Sequence, residues 1–329
     1  MKIAFLADEI TTFKKDHDST WALMKACHRK NLQVFYASSS SLTCKDACVK
    51  AQFIELDKEF FDFQENNNAS LIKFPVIPLD ENPNPQKYPC TEIELDDFKI
   101  VFMRKDPPVD STYIYETQLL NLCKKALVVN NPASLLINNE KLSILNFPSV
   151  IPETIVSESV LEVKEFVSKH KKVVLKPLDA MGGAGVFVLE DGDKNVNSIV
   201  ETSLKDKPVM LQKFIPEIAQ GDKRLIILNG DCIGALLRVP SDADNRANLA
   251  AGGSSKQYSP SKRDLEIVAT IKDFLVANKI YFAGVDIIGD YLTEINITSP
   301  TCLQEINRVN ELAAGQCLED LILADLLSL

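Results

Sequence analysis

Apolar residues recur along this chain with two different periods, and the switches between them mark its elements. Residues 2–6 form a strand-length apolar run. Residues 19–30 then carry Trp21, Leu23, Met24 and Cys27 at helical spacing, with Asp18 or Ser19 placed to cap the first turn. Residues 32–37 return to a strand pattern, which completes a β–α–β opening. A further apolar run at 98–103 ends in Arg104-Lys105-Asp106-Pro107-Pro108. The spacing predicts a helix over 112–125 and a strand over 126–129. Strands alternating with helices predict a mostly parallel open sheet for residues 1–130. Ligands bind beyond the carboxyl ends of such strands, where Asp8 and Arg104 fall. The stretch 38–97 is less regular, and its serine, asparagine and proline clusters predict loops between short strands. From 217 onward the pattern predicts antiparallel strands and C-terminal helices from about 261 and 310.

Composition narrows the picture. The chain has 329 residues, 46% hydrophobic and 25% charged, which suits two or three globular units. Its formal net charge of −10, without a basic cluster, argues against a nucleic-acid surface. The N-terminal residues lack the pattern of a signal peptide, and no apolar stretch reaches membrane-spanning length. The eight cysteines are scattered, and Cys44-x-x-x-Cys48 lacks partners for zinc among three histidines. Reduced thiols and a cytoplasmic location are therefore expected.

Two segments carry the chemistry. In residues 284–301, two short apolar strands flank a turn at Gly289-Asp290, with Asp286 on the first and Glu294 and Asn296 on the second. Residues two apart on a strand share a face, so Glu294 and Asn296 project together and Asp286 can join them across the hairpin. Hard oxygen ligands of this kind suit Mg2+, although a plain polar face of an antiparallel pair reads the same way. About 110 residues upstream, a strand carries Lys176 into a loop with Gly182, Gly183 and Gly185. Such glycines let backbone N–H groups approach phosphate oxygens, although a simple tight turn is the other reading. The loop is neither a Walker A nor a dinucleotide fingerprint.

Lys141 in NNEKLSIL, Lys176 in LKPLDAMGGAGVF, and Asp286, Glu294 and Asn296 together resemble the ATP-grasp superfamily. Within it, DSTWALM (18–24), FMRKDPPVD (102–110), GDKRLIILNGD (221–231) and RVPSDADNRANLAAGG (238–253) are similar to bacterial-type glutathione synthetases. The resemblance runs over nearly the whole chain in order and is poorest between about 40 and 95. It implies an α/β fold, α+β in the C-terminal half: an N-terminal open parallel-sheet domain (1–132) that binds substrate, followed by a two-lobed ATP-grasp module (133–215 and 216–329).

The same resemblance implies ATP-dependent ligation of glycine to the cysteine carboxyl of γ-glutamylcysteine through an acyl phosphate. ATP and Mg2+, or Mn2+, are the implied cofactors, and a homo-oligomer the implied assembly. Lys141, Lys176 and the Gly182–Gly185 loop match its phosphate contacts. The segment Gln212, Lys213, Phe214 and Ile215 matches the one that joins the lobes and pairs with adenine. Asp286, Glu294 and Asn296 match its metal ligands, and Arg224 and Arg238 its arginines near the reacting carboxyl. Asp18 and Arg104 are candidates for the γ-glutamylcysteine end, with Ser299, Pro300 and Thr301 beside them. Arg246 would reach inward if residues 239–253 close as a lid. One departure from the pattern is Asp16-His17 before DSTWALM, where a lysine pair is usual. Rival readings are another ATP-grasp ligase, such as a D-alanine–D-alanine ligase, and a non-catalytic ATP-binding scaffold.

Overall fold

The structure, a computed structural model, describes residues 1–74, 88–205, 207–240, 249, 252–313 and 315–329. The first part of the chain runs β1 (Lys2–Ala7), α1 (Ser19–Arg29), β2 (Gln33–Ser38), β3 (Thr43–Lys45), β4 (Cys48–Leu56) and α2 (Lys58–Asn66). It continues through β5 (Thr91–Glu94), β6 (Ile100–Arg104), α3 (Ser111–Leu120), β7 (Leu127–Val129) and α4 (Pro132–Ile137). These strands make one sheet in the order β3-β4-β2-β1-β6-β7, with β5 on β4. The pairings β2-β1-β6-β7 are parallel, as the alternating pattern predicts, and β3, β4 and β5 add an antiparallel edge. The turn from β2 to β4 has no crossover helix, so the chain returns antiparallel.

Helix α1 fits its expected cap and core: Asp18 accepts from Trp21 N at 2.8 Å, and Trp21, Leu23, Met24 and Cys27 are buried. Trp21 stacks on Phe61 of α2. The helix predicted over 112–125 stops at Leu120. Beyond it, the Asp96 carboxylate takes the backbone N–H groups of Lys124, Lys125 and Ala126, which holds those residues outside any helix.

A second, antiparallel sheet has the order β10-β9-β11-β8, from β8 (Thr154–Ser157), β9 (Lys172–Pro177), β10 (Phe187–Glu190) and β11 (Val209–Lys213). Helices α5 (Val160–His170) and α6 (Val196–Ser203) cover it, burying Val163, Val200 and Leu211 in a core of its own. The third sheet is β14-β13-β12-β15-β16, built from β12 (Asp222–Leu228), β13 (Asp231–Val239), β14 (Ser254–Gln257), β15 (Phe282–Ile288) and β16 (Tyr291–Asn296). Helix α7 (Lys262–Ala277) intervenes before β15, starting where expected, and Ser261 caps it. The helix expected from about 310 is corrected. Asn310 instead ends α8 (Leu303–Val309), and α9 (Leu318–Ser328) starts later. Among the described residues no helix is long and apolar enough to cross a membrane.

Candidate active site

A cleft of about 980 Å³ draws its walls from all three sheets. Loops after β1 and β6 supply His17, Asp18 and Asp106, at the carboxyl ends of parallel strands where the open-sheet rule places ligands. The second sheet supplies Lys176 and Gln212, and the third supplies Arg224, Arg238, Asp286, Glu294 and Asn296.

Strand register explains why the third sheet converges. Asp222 pairs with Arg238, Arg224 with Asp286, Asp286 with Glu294, and Gly284 with Asn296. Paired residues on neighbouring strands share a face, so all of these side chains rise from one side of the sheet. Asp286 receives Arg224 Nε at 2.5 Å, Arg224 Nη2 at 3.0 Å and Arg238 Nη2 at 2.9 Å. Arg238 also meets Asp222. Two carboxylates and two guanidinium groups thus balance one another, each less than 10% exposed. Burial alone would raise the Asp286 carboxyl, but Arg224 and Arg238 hold it well below the usual carboxylate range. Burial pushes Asp222 the other way, with Asp286 adding to the push against the pull of Arg238.

Lys176 Nζ donates to Gln212 Oε1 at 2.5 Å, and burial lowers its pKa from the ordinary lysine value. Lys141 Nζ lies 2.9 Å from Glu294 Oε1 and donates to the Ala180 carbonyl at 2.7 Å, so it ties the glycine-rich loop to β16. Gly182 and Gly183 line the cleft with positive φ of 61° and 81°, a region that glycine enters without strain. Gly185 lies off the cleft wall; a Cβ there would come within 2.8 Å of Pro177 Cγ. Lys213, Phe214 and Ile215 follow Gln212 along the wall.

Glu294 and Asn296 fit a divalent ion. They stand two apart on one face of β16, and Asn296 Nδ2 donates to the Gly284 carbonyl, so the amide oxygen is the atom left to meet an ion. Asp286 lines the same wall, but its oxygens already accept from two arginines.

Ser299 and Thr301 line the cleft, and Asp18 does so while capping α1. Arg104 and Pro300 depart from expectation, because neither is on the wall. Arg104 is 4% exposed and donates to Thr20 Oγ1 at 3.1 Å and to the Pro300 carbonyl at 2.9 Å. It therefore supports the 299–301 segment from behind. Arg246, and the proposed lid over 239–253 apart from residues 239, 240, 249, 252 and 253, lie outside the described residues.

Sequence reasoning missed Glu140, Asp222 and Gly284. One Glu140 oxygen accepts from Ile297 N at 2.7 Å, Thr298 N at 2.9 Å and Thr298 Oγ1 at 2.8 Å. Burial, reinforced by nearby Glu294, raises this carboxyl from its usual value. Glu140 thereby clamps the strand end after Asn296 beside Lys141. Its position next to Lys141 was the only signal available.

Paired lysines facing an acidic hairpin across a cleft, in a mixed α/β fold of this topology, define an ATP-grasp enzyme, an ATP-dependent ligase that works with a divalent metal. The family model for the prokaryotic glutathione synthetase N-terminal domain matches residues 1–135, and the one for its ATP-grasp domain matches 140–311. Glutathione synthetase of Synechocystis sp. is 38% identical over 326 residues, covering 96% of this chain and 97% of that protein. The Neisseria meningitidis enzyme of the same name is 38% identical over 311 residues, 93% of each chain. The chain belongs to the prokaryotic glutathione synthetase family. Among solved structures, D-cycloserine synthetase DcsG has a TM-score of 0.65 at 11% identity, covering 99% of this chain and all of that one. The macrocyclase MdnC from Microcystis aeruginosa has 0.61 at 13%, covering 100% and 99%. At such identities these likenesses speak for the fold alone.

Proposed function

We propose that the cleft joins the cysteine carboxyl of γ-glutamylcysteine to the amine of glycine, forming glutathione, ADP and phosphate. A carboxylate is a poor electrophile. One of its oxygens therefore attacks the γ-phosphorus of ATP, and the bond from that phosphorus to the β-phosphate bridging oxygen breaks. The neutral glycine amine then attacks the carbonyl carbon of the acyl phosphate. The tetrahedral adduct loses a proton from the former amine nitrogen to solvent and collapses as its carbon–oxygen bond to phosphate breaks. Both steps gather negative charge among crowded oxygens, so positioning and electrostatic stabilisation are the main demands on the protein.

Lys141, Lys176 and the backbone at Gly182 and Gly183 hold the phosphates in this reading, and the 212–215 segment holds the adenine. Glu294 and Asn296, with Asp286 shared from its arginines, would hold Mg2+, which would supply positive charge to offset the negative charge of phosphate oxygens. Arg224 and Arg238 orient the reacting carboxyl, since a guanidinium stays charged and binds oxyanions in bidentate fashion. Ser299 and Thr301 meet the dipeptide, and Arg104 keeps their segment in place. The substrate-binding unit is residues 1–132, with the ATP-grasp lobes at 133–215 and 216–329. A reduced cytosolic setting suits cysteines that are all unpaired, and we include self-association of identical chains in the proposal.

The observation that carries this reading is the 2.9 Å contact between Lys141 and Glu294, which sets the phosphate side of the cleft against its metal side. With ATP, Mg2+, γ-glutamylcysteine and glycine together, ADP and glutathione should appear in equal amounts. Omitting either substrate should stop glutathione formation. ADP release that is indifferent to the dipeptide, or a different ligated product, would overturn the proposal.

A further inference from the structure

At the end of the cleft formed by the loop after β1 and by α8, one buried carboxylate is only half used. Glu305 is 4% exposed and lines the cleft. Its Oε1 lies 2.8 Å from His17 Nδ1, and its Oε2 is buried with no hydrogen-bond partner. A buried carboxylate oxygen without a donor is costly, and in a functional cleft a ligand is one source of the missing donor. Two carboxylates nearby each accept a hydrogen bond. Asp18 accepts from Trp21 N, and Asp106 is hydrogen-bonded by Ser299.

Glu305 is also held firmly. Its neighbour Gln304 donates to the carbonyls of Lys15 at 3.0 Å and Asp18 at 2.6 Å, and Leu303 N donates to Ser19 Oγ at 3.2 Å. Arg308 Nη2 donates to the Asp16 carbonyl at 2.6 Å. Lys14 and Arg308 line the same cleft as His17 and Glu305. Cys302, at the start of the same segment, feels the charges of Arg224, Arg238 and Glu305 together, so this end adjoins the proposed reacting centre.

A buried acceptor in a cleft that Lys14 and Arg308 also line matches the free end of a γ-glutamyl group, which carries an α-ammonium beside an α-carboxylate. We infer that Glu305 receives the α-ammonium of the γ-glutamyl substrate through Oε2, that His17 holds Oε1 to aim it, and that Lys14 and Arg308 face the α-carboxylate. Glu305 is then the residue that distinguishes γ-glutamylcysteine from dipeptides lacking the amine. The assignment rests on the reaction proposed above and adds the recognition of the substrate's far end.

The test compares γ-glutamylcysteine with glutarylcysteine, which differs only in lacking the α-amino group, in the wild-type protein and in Glu305→Gln. ADP release in the presence of glycine gives kcat/KM for each. A charge-assisted hydrogen bond corresponds to a wild-type preference of about 10- to 150-fold for the amine-bearing substrate. Glu305→Gln should reduce that preference to within about threefold by slowing γ-glutamylcysteine while leaving glutarylcysteine nearly unchanged. His17→Ala should raise KM for γ-glutamylcysteine severalfold and leave kcat intact. Equal losses for both dipeptides in Glu305→Gln, or a preference that survives it, would overturn this inference while the proposed reaction stands. A wild-type protein that releases no ADP with either dipeptide would overturn both.

Discussion

Asp286 is the residue through which most of the site's charge is balanced. It accepts from both Arg224 and Arg238 while 3% exposed, so Asp286→Asn leaves two buried guanidinium groups facing Asp222 alone. Removing one partner of a buried ion cluster costs roughly 3–5 kcal/mol, and urea unfolding at neutral pH should show a loss of that size. The pH dependence has a definite sign. The folded-state pKa of Asp286 is depressed below its unfolded value of about 3.9, so its contribution is complete above that value. It is lost as pH falls through the lower, folded value. In an Asp222→Asn background, which removes the neighbouring carboxyl that burial and Asp286 push up, the stability gap between Asp286 and Asp286→Asn should therefore hold steady from pH 8 to 5 and narrow only on stronger acidification. A gap that closes near pH 6 would mean that Asp286 is not held ionised by its arginines. Arg224, Arg238 and Asp286 were legible as motif residues. Asp222 and Gly284 were not, because cross-strand neighbours decide their roles. A Cβ at Gly284 would come within 3.0 Å of Arg224 Nη1 and 3.2 Å of Arg224 Cδ, a constraint that no local pattern announces.

At the level of elements, Asp264 joins four pieces of chain. It completes the capping box of α7 with Ser261, accepts from Tyr258 Oη, and meets Lys223 of β12 at 2.8 Å. Lys223 in turn donates to the Gly289 carbonyl in the turn between β15 and β16, the hairpin that carries Glu294 and Asn296. Ser261→Ala should cost about 1 kcal/mol, the worth of one cap. Asp264→Asn should cost more, roughly 1.5–3 kcal/mol, because it weakens a charge-assisted bond as well. Equal losses in urea unfolding would show that Asp264 serves only as a cap. The start of α7 was readable because Ser261 and Asp264 spell the cap locally. Helix α2 went unread: Asp57 caps it by accepting from Phe60 N, but polar residues fill most of its positions. The start of α8 was misplaced for a related reason. Cys302 enters it at a φ of 84° and gives no side-chain cap, so the usual sequence signal is missing.

Across the whole molecule, the segment before the second sheet meets the third sheet at a contact that ligands must exchange rather than merely join. Lys141 and Glu294 now neutralise each other at 2.9 Å, and Lys176 Nζ approaches the Thr293 carbonyl at 3.5 Å. Nucleotide phosphates arriving without metal would draw Lys141 away and leave Glu294 as an unbalanced carboxylate facing them. Metal arriving without nucleotide would compete with Lys141 for Glu294 and leave the lysine beside a new positive charge. Arriving together, phosphates take the lysine and the metal takes the carboxylate, so each offsets the cost of the other. Linkage converts binding to the native state into stability, about 2.7 kcal/mol at a hundredfold excess over Kd. Thermal unfolding should therefore show small shifts in Tm with a non-hydrolysable ATP analogue alone or Mg2+ alone. The pair together should give a shift well above their sum. In Glu294→Gln the excess should shrink, because the amide supplies no charge for the metal and no longer competes for Lys141. Strictly additive shifts in the wild-type protein would mean that Lys141 and Glu294 bind their ligands independently and that their contact serves only to hold the structure together.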